Sequence, residues 1–322
     1  MATTATLAAR LRLRWRKLPL TRDQFMLLMA ATNEIFLGID IYLAHSISGT
    51  ISPNEWIPIV FGPLAGAALM IAGLIALRRR QLATAIASAV LLASIVVGLL
   101  GAYFHFVRAI LPNAPAFERV SVGLLVWGPP ILGPLMFSLV GLLGLSAAFI
   151  EDPADSGRLR LWGERRLQLP YRKTNAYFYM VSLGSLATVM SSVLDHARTG
   201  FENPWLWLPT GVGLFATLIA AVMAAAERTG RVESMIYNLT MLTLMLVGAG
   251  GLILHIQTNL TAGGTIVGER FIRGAPFLAP LLFANMGMLG LISRLPASET
   301  RMQPSSAIDG SAQVAVSGDR SS

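Results

Sequence analysis

HSISGTISPNEWIPIVFG, residues 45–62, returns 151 positions later as HARTGFENPWLWLPTGVG, residues 196–213. Aligned without a gap, the two share His45/His196, Gly49/Gly200, Pro53/Pro204, Trp56/Trp207, Pro58/Pro209 and Gly62/Gly213. Three further matches follow in the same order. Gly98, Gly101 and His105 recur as Gly248, Gly251 and His255, and Glu118–Arg119 recurs as Glu269–Arg270. Gly128, Pro130, Leu132, Pro134, Leu135, Phe137, Gly141 and Gly144 recur as Gly274, Pro276, Leu278, Pro280, Leu281, Phe283, Gly287 and Gly290. One match between apolar segments can be chance; four in register order are an internal repeat.

Around these motifs the chain is apolar. Of its 322 residues 54% are hydrophobic and only 13% charged, with a mean hydropathy of +0.62. Soluble proteins carry roughly 25% charged residues. The balance excludes an ordinary soluble enzyme, a disordered chain and a nucleic-acid binder, although the pI is about 10.5. With no cysteine there are no disulfides, thiolate metal sites or cysteine nucleophiles. Walker A and zinc-protease spacings are also missing from the sequence.

A membrane span takes roughly 20 apolar residues. Eight segments qualify: 25–47, 55–77, 82–108, 122–150, 174–197, 205–227, 233–257 and 273–294. The expected fold is an all-α polytopic membrane protein whose eight transmembrane helices form two parallel four-helix repeats. Its parts are a basic N-terminus (1–24), the first repeat (25–150), a linker (151–173), the second repeat (174–296) and a Ser-, Ala- and Gly-rich tail (297–322). An even number of spans per repeat gives both halves one orientation, related by a pseudo-two-fold axis along the membrane normal. Residues 1–20 suit a basic interfacial helix around Leu11, Leu13 and Trp15. No small-residue cleavage site follows the first span, so the basic start is not read as a secretory signal.

Lys and Arg set the orientation. Arg10 to Arg22, Arg78–Arg80, the linker's Arg158 to Lys173, Arg228, Arg231, Arg294 and Arg301 fall on one side. The other side keeps Arg108, Arg119, Arg198, Arg270 and Arg273. Both termini are therefore expected in the cytoplasm, the chain in a cell (inner) membrane, and its excess positive charge near anionic lipid. The partners this implies are the bilayer, and a small molecule or other membrane subunits, with no nucleic acid.

The chain has four histidines, and His45, His105, His196 and His255 are two repeat-equivalent pairs. Each lies near the end of an odd-numbered span, so all four are expected at one depth near the extracytoplasmic face. Histidine inside a membrane is costly and usually has a partner. Imidazole is also the commonest metal ligand. With no thiols, the candidate cofactors are haem b or a copper, zinc or iron ion. Either each half holds one through its own pair, or all four imidazoles converge. A single depth argues against a wire of haems stacked across the bilayer.

Gly98 and Gly101 share a helix face with His105, as Gly248 and Gly251 do with His255. Such a face admits a porphyrin edge or a neighbouring helix. Glu34 lies eleven residues before His45, about 16 Å along the helix. With Ser192 and Asp195 it is the candidate for a polar path. Asp40 and Asp195 point away from the imidazoles. The motif G-x-P-x-L-x-P-L-x-F predicts an irregular start to the fourth and eighth spans. Three functions suit these residues: a histidine-based haem or metal site serving redox chemistry, a small permease with a histidine-lined path, or a membrane scaffold or assembly subunit.

Overall fold

The computed structural model describes residues 20–47, 49–110, 117–161, 165–226, 228–261 and 267–297. The basic interfacial stretch and the tail expected from sequence lie outside them.

Helix α1, Arg22–Ser46, starts at a capping box. Thr21 Oγ1 accepts from the Gln24 amide at 3.3 Å, and Gln24 Oε1 accepts from the Thr21 amide at 2.8 Å. The helix ends at Gly49, whose φ of +83° is open to residues without a Cβ. A 3₁₀ turn at Pro53–Glu55 then leads into α2, Trp56–Ile75, and α3 follows over Arg80–Ala109. The second half opens in the same way. Helix α6, Lys173–Ala197, is also 25 residues long and ends near Gly200 at φ +63°. A turn at Pro204–Leu206 leads into α7, Trp207–Ala225, and then α8, Arg231–Thr261.

The fourth and eighth segments are not continuous. The fourth is a short helix α4, Val122–Trp127, a break at Gly128–Ile131, and α5, Leu132–Ala148. The eighth is α9, Gly268–Arg273, a run of turns, and α10, Leu281–Ser293. The prolines explain both breaks. Pro130 and Pro276 fall where no N–H is offered, and Pro134 and Pro280 fall in or just before a first turn, where the missing N–H costs nothing. In the second half Asn259 replaces the lost backbone bonds, accepting from the Ala275 amide at 2.8 Å and donating to its carbonyl at 2.9 Å.

Six helices are long and apolar enough to cross a membrane: α1, α3, α6, α8, and α2 and α7 with their leading turns. Helices α5 and α10 are shorter, at 17 and 13 residues. Leu64, Leu74 and Leu246 stand 64–73% exposed on the outside. Long apolar helices that leave most of their surface facing outward suit a lipid solvent. The chain is a helical, multi-pass membrane protein.

The helices meet through small residues. A Cβ on Gly62 would run into the Glu34 carbonyl oxygen, so α1 and α2 cross with backbones in contact. Gly141 on α5 faces the Leu91 carbonyl of α3, and Gly287 on α10 faces the Met241 carbonyl of α8. Between the halves the contacts are reciprocal. Helices α4 and α5 touch α6, while α9 and α10 touch α1.

The linker, read in sequence only as a connection, carries a three-stranded antiparallel sheet: β1 Ile150–Glu151, β2 Arg158–Arg160 and β3 Arg166–Gln168. Glu151 is its hub. Its carboxylate accepts from the amides of Asp155 (2.9 Å), Gly157 (2.6 Å) and Lys173 (3.0 Å). The last of these puts a negative charge on the N-terminus of α6, where the helix dipole favours it.

Beside it, the two long helices exchange side chains. Lys173, at the start of α6, is 1% exposed and donates to Asp23 Oδ2 of α1 at 2.5 Å and to the Phe149 carbonyl at 2.6 Å. Arg22, at the start of α1, donates to Thr174 Oγ1 of α6 at 2.6 Å, and its guanidinium lies 5.1 Å from the Tyr177 ring centre. Tyr177 donates its hydroxyl to Asp23 at 2.8 Å. Removing one partner of a buried ion pair typically costs about 3–5 kcal/mol, because the other charge stays buried. Lys173→Ala and Asp23→Ala should each lower stability by about that much, and the double variant should lose clearly less than the sum. Thermal unfolding in detergent measures this; single losses below about 1 kcal/mol would refute a buried clamp.

Candidate functional site

The four histidines lie near the C-terminal ends of α1, α3, α6 and α8, at the opposite end of the bundle from the Arg22–Lys173 clamp. They meet in pairs within each half. The ring centres of His45 and His105 are 6.0 Å apart, with planes tilted at 55°. Those of His196 and His255 are 6.3 Å apart at 86°. Among the described residues no ring contact joins a histidine of one half to one of the other.

Three of the imidazoles are oriented by main-chain carbonyls. His105 Nδ1 bonds to the Pro130 oxygen at 2.9 Å, and His255 Nδ1 to the Pro276 oxygen at 3.0 Å. These are repeat-equivalent bonds on repeat-equivalent prolines at the helix breaks, although the Pro276 carbonyl also accepts from the Ala279 amide at 3.2 Å. His45 Nδ1 bonds to the Ile41 oxygen at 2.8 Å, one turn back along its own helix. A carbonyl only accepts, so each of these Nδ1 atoms carries the proton and a neutral ring keeps its lone pair on Nε2. Metal-ligating histidines are commonly held by this Nδ1–H to carbonyl bond.

The spacing can be compared with a metal bridge. Metal–imidazole bonds are about 2.0–2.1 Å and a ring centre lies about 1.1 Å behind its nitrogen. Two rings on opposite sides of one ion then have centres about 6.3 Å apart, and two at a tetrahedral angle about 5.1 Å. The observed separations of 6.0 and 6.3 Å lie in the ordinary range for neighbouring rings and are wider than a tetrahedral pair on one ion would have. Each pair supplies only two donors. Among the described residues no group of three or more His, Asp or Glu is placed to hold a metal ion.

The two sites differ in what surrounds them. Glu55 Oε1 lies 3.9 Å from His45 Nε2 and accepts from Arg108 at 3.0 Å. The position equivalent to Glu55 is Leu206, and His196 instead faces the Phe201 ring at 6.3 Å. Both sites have charged neighbours, Glu55 with Arg108 in the first and Asp195 with Arg198 in the second. Arg198 of α6 reaches across to the Val126 carbonyl at 2.8 Å and ties the histidine ends of the two halves together.

The glycine faces receive helices. A Cβ on Gly101 would stand 2.7 Å from Pro134 Cβ, and one on Gly251 2.7 Å from Pro280 Cβ. Gly98 faces Ser138 and the Pro134 carbonyl, and Gly248 faces the equivalent Ala284 and Pro280 carbonyl. These four glycines seat α5 against α3 and α10 against α8, and so bring the two proline carbonyls to the imidazoles.

Glu34 and the Ser192–Asp195 pair occupy different places. Glu34 is fully buried inside the first half, where Ser94 Oγ lies 2.5 Å from its Oε1 and 2.9 Å from the Phe137 carbonyl oxygen. One hydroxyl proton serves one of these two acceptors. A protonated carboxyl completes the chain by donating to Ser94, which then donates to Phe137. Asp195 is half-buried on α6 and lies within Coulombic reach of Asp40 on α1. Sequence reasoning set Asp40 aside because it faces away from His45, and could not see what it does face.

Glu34→Gln keeps a donor toward Ser94 and should unfold within a few degrees of the parent. Glu34→Ala leaves a cavity and a stranded hydroxyl and should cost about 2–4 kcal/mol. Equal loss in both variants, measured by thermal unfolding, would contradict the protonated chain.

No protein-family model matches the chain, and no curated protein and no solved structure matches it.

Proposed function

We propose that the chain consists of two parallel four-helix repeats, each of which would hold one haem or metal ion through its pair of histidines at the extracytoplasmic face, for redox chemistry there. The ligands are His45 and His105 in the first half and His196 and His255 in the second. Each pair would supply two imidazole nitrogens to one ion, either haem iron or a single soft ion such as cuprous copper. Four elements, α1, α2, α3 and α4–α5, answer to α6, α7, α8 and α9–α10. Both termini are cytoplasmic in this reading, and the membrane is the inner membrane.

One observation carries the proposal. The ring pairs recur at 6.0 and 6.3 Å in both halves, with His105 and His255 anchored on equivalent proline carbonyls. The protein's contribution is positional: main-chain carbonyls fix the tautomer and orientation of His45, His105 and His255. Glu55 with Arg108 stands beside the first pair and Asp195 with Arg198 beside the second, so two cofactors held this way would differ in potential.

Metal analysis with optical spectroscopy of the purified protein tests this. Two equivalents of one cofactor per chain are expected, falling to one in His105→Ala or His255→Ala and to none in the double variant. A Soret band identifies haem, and a metal content without one identifies a bare ion. Protein that remains folded in its membrane, carries neither after supplementation with haem and metal, and is indifferent to both substitutions would overturn it.

A further inference from the structure

Between the two halves lies a cavity of about 400 Å³. It is walled by α1 and α5 from the first half and by α6 and α10 from the second. Its walls include repeat-equivalent pairs, Met29 with Met180 and Leu143 with Leu289, so it sits on the pseudo-two-fold axis. Sites in proteins built from repeats characteristically lie at this interface. The volume falls within the range of small-molecule pockets, roughly 300–1,000 Å³.

The lining is largely apolar and rich in methionine, which repacks around varied shapes. Its polar groups are few and are mismatched between the halves. Asn33 and Asp40 come from α1, seven residues apart and therefore on one helix face. Asn285 comes from α10, where the equivalent first-half residue is Leu139. The Asn285 Oδ1 atom is buried and accepts no hydrogen bond from the described residues. Asp40 makes no hydrogen bond or ion pair among the described residues, although it lies well inside a membrane-spanning helix. The charged group that faces it is another carboxylate, Asp195 of α6. Ionisable residues in a span are expensive and as a rule serve a pathway or a ligand. Here the cavity offers negative charge and an acceptor, and no cation of the described chain answers them.

We propose that this cavity binds a lipophilic organic cation, with Asp40 as its counter-charge and Asn285 Oδ1 accepting from its N–H. The apolar body of the ligand lies against the methionines. A neutral lipid or a hydroxylated amphiphile would fill the same volume but would leave Asp40 without a counter-charge. The site is separate from the histidine pairs and does not depend on their holding a cofactor.

Ethidium, a flat cation with amino donors, is a suitable probe, with uncharged phenanthridine for comparison. Fluorescence titration of the full-length protein in lipid nanodiscs, corrected for empty nanodiscs, should show saturable ethidium binding. Phenanthridine should compete at least tenfold more weakly. Asp40→Asn should weaken ethidium binding tenfold or more, and Asn285→Leu, which installs the residue of the other repeat, several-fold. Absence of saturable binding, equal competition by phenanthridine, or ethidium binding that both variants leave unchanged would overturn the proposal. The comparison of the two probes on the parent protein decides the matter even if Asp40→Asn fails to fold.

Discussion

Arg22 and Lys173 occupy the first positions of two equivalent helices, and each reaches the second residue of the other. Arg22 donates to Thr174, and Lys173 to Asp23. An exchange of this form is what a two-fold relation between the halves produces at its axis. It also meets a constraint. A cation at a helix N-terminus opposes the helix dipole, and two of them together repel. Asp23 and Glu151 supply the compensating charge, and Tyr177 supplies a ring face and a hydroxyl. The position of α6 relative to α1 follows from this cluster. So in turn do the cavity between the halves and, at the far end of the same helices, the level at which the histidines stand.

The histidine ends depend on a second device, which each half repeats. Proline breaks the helix before α5 and before α10 and turns a carbonyl toward the neighbouring helix. Glycines on α3 and α8 let the proline-bearing segments approach. The imidazole of the same helix then bonds to that carbonyl, which in the second half also accepts from the Ala279 amide. Gly101, Pro134, Pro130 and His105 form one such set, and Gly251, Pro280, Pro276 and His255 the other. Polar backbone exposed by a break in lipid must find a partner. A histidine provides it and is oriented in return. The repeated G-x-P motif and the histidines are parts of one arrangement.

Much of this was legible in the sequence because its signals are local. Apolar runs mark spans, fixed offsets mark equivalent residues, and closely spaced prolines mark broken helices. The pairing of His45 with His105 and of His196 with His255 follows from the repeat, although sequence left a single four-histidine site open. Burial of charge was not legible. Lys173 and Arg22 count as orientation signals in a tally of basic residues, and nothing in their spacing tells that one is sealed beneath a sheet formed by the linker. What Asp40 faces was not legible for a related reason. Its angle to His45 is readable from helix periodicity, but the space it faces is made by helices from the other half of the chain. Glu34 likewise meets Ser94, 60 residues away.

The central claim is that the halves are parallel equivalents, so that the histidine pairs share one face of the membrane and the Arg22–Lys173 clamp lies at the other. The chain has no cysteine, which makes single-cysteine labelling in intact cells the most direct measurement. Asn54 and Trp205 are exposed equivalents at the histidine end, and Arg79 and Thr229 are exposed at the other. Cysteines at 54 and 205 should both react with an impermeant maleimide from outside, and cysteines at 79 and 229 only after the membrane is opened. Opposite reactivity within either pair would mean that the halves are inverted, and would contradict the account.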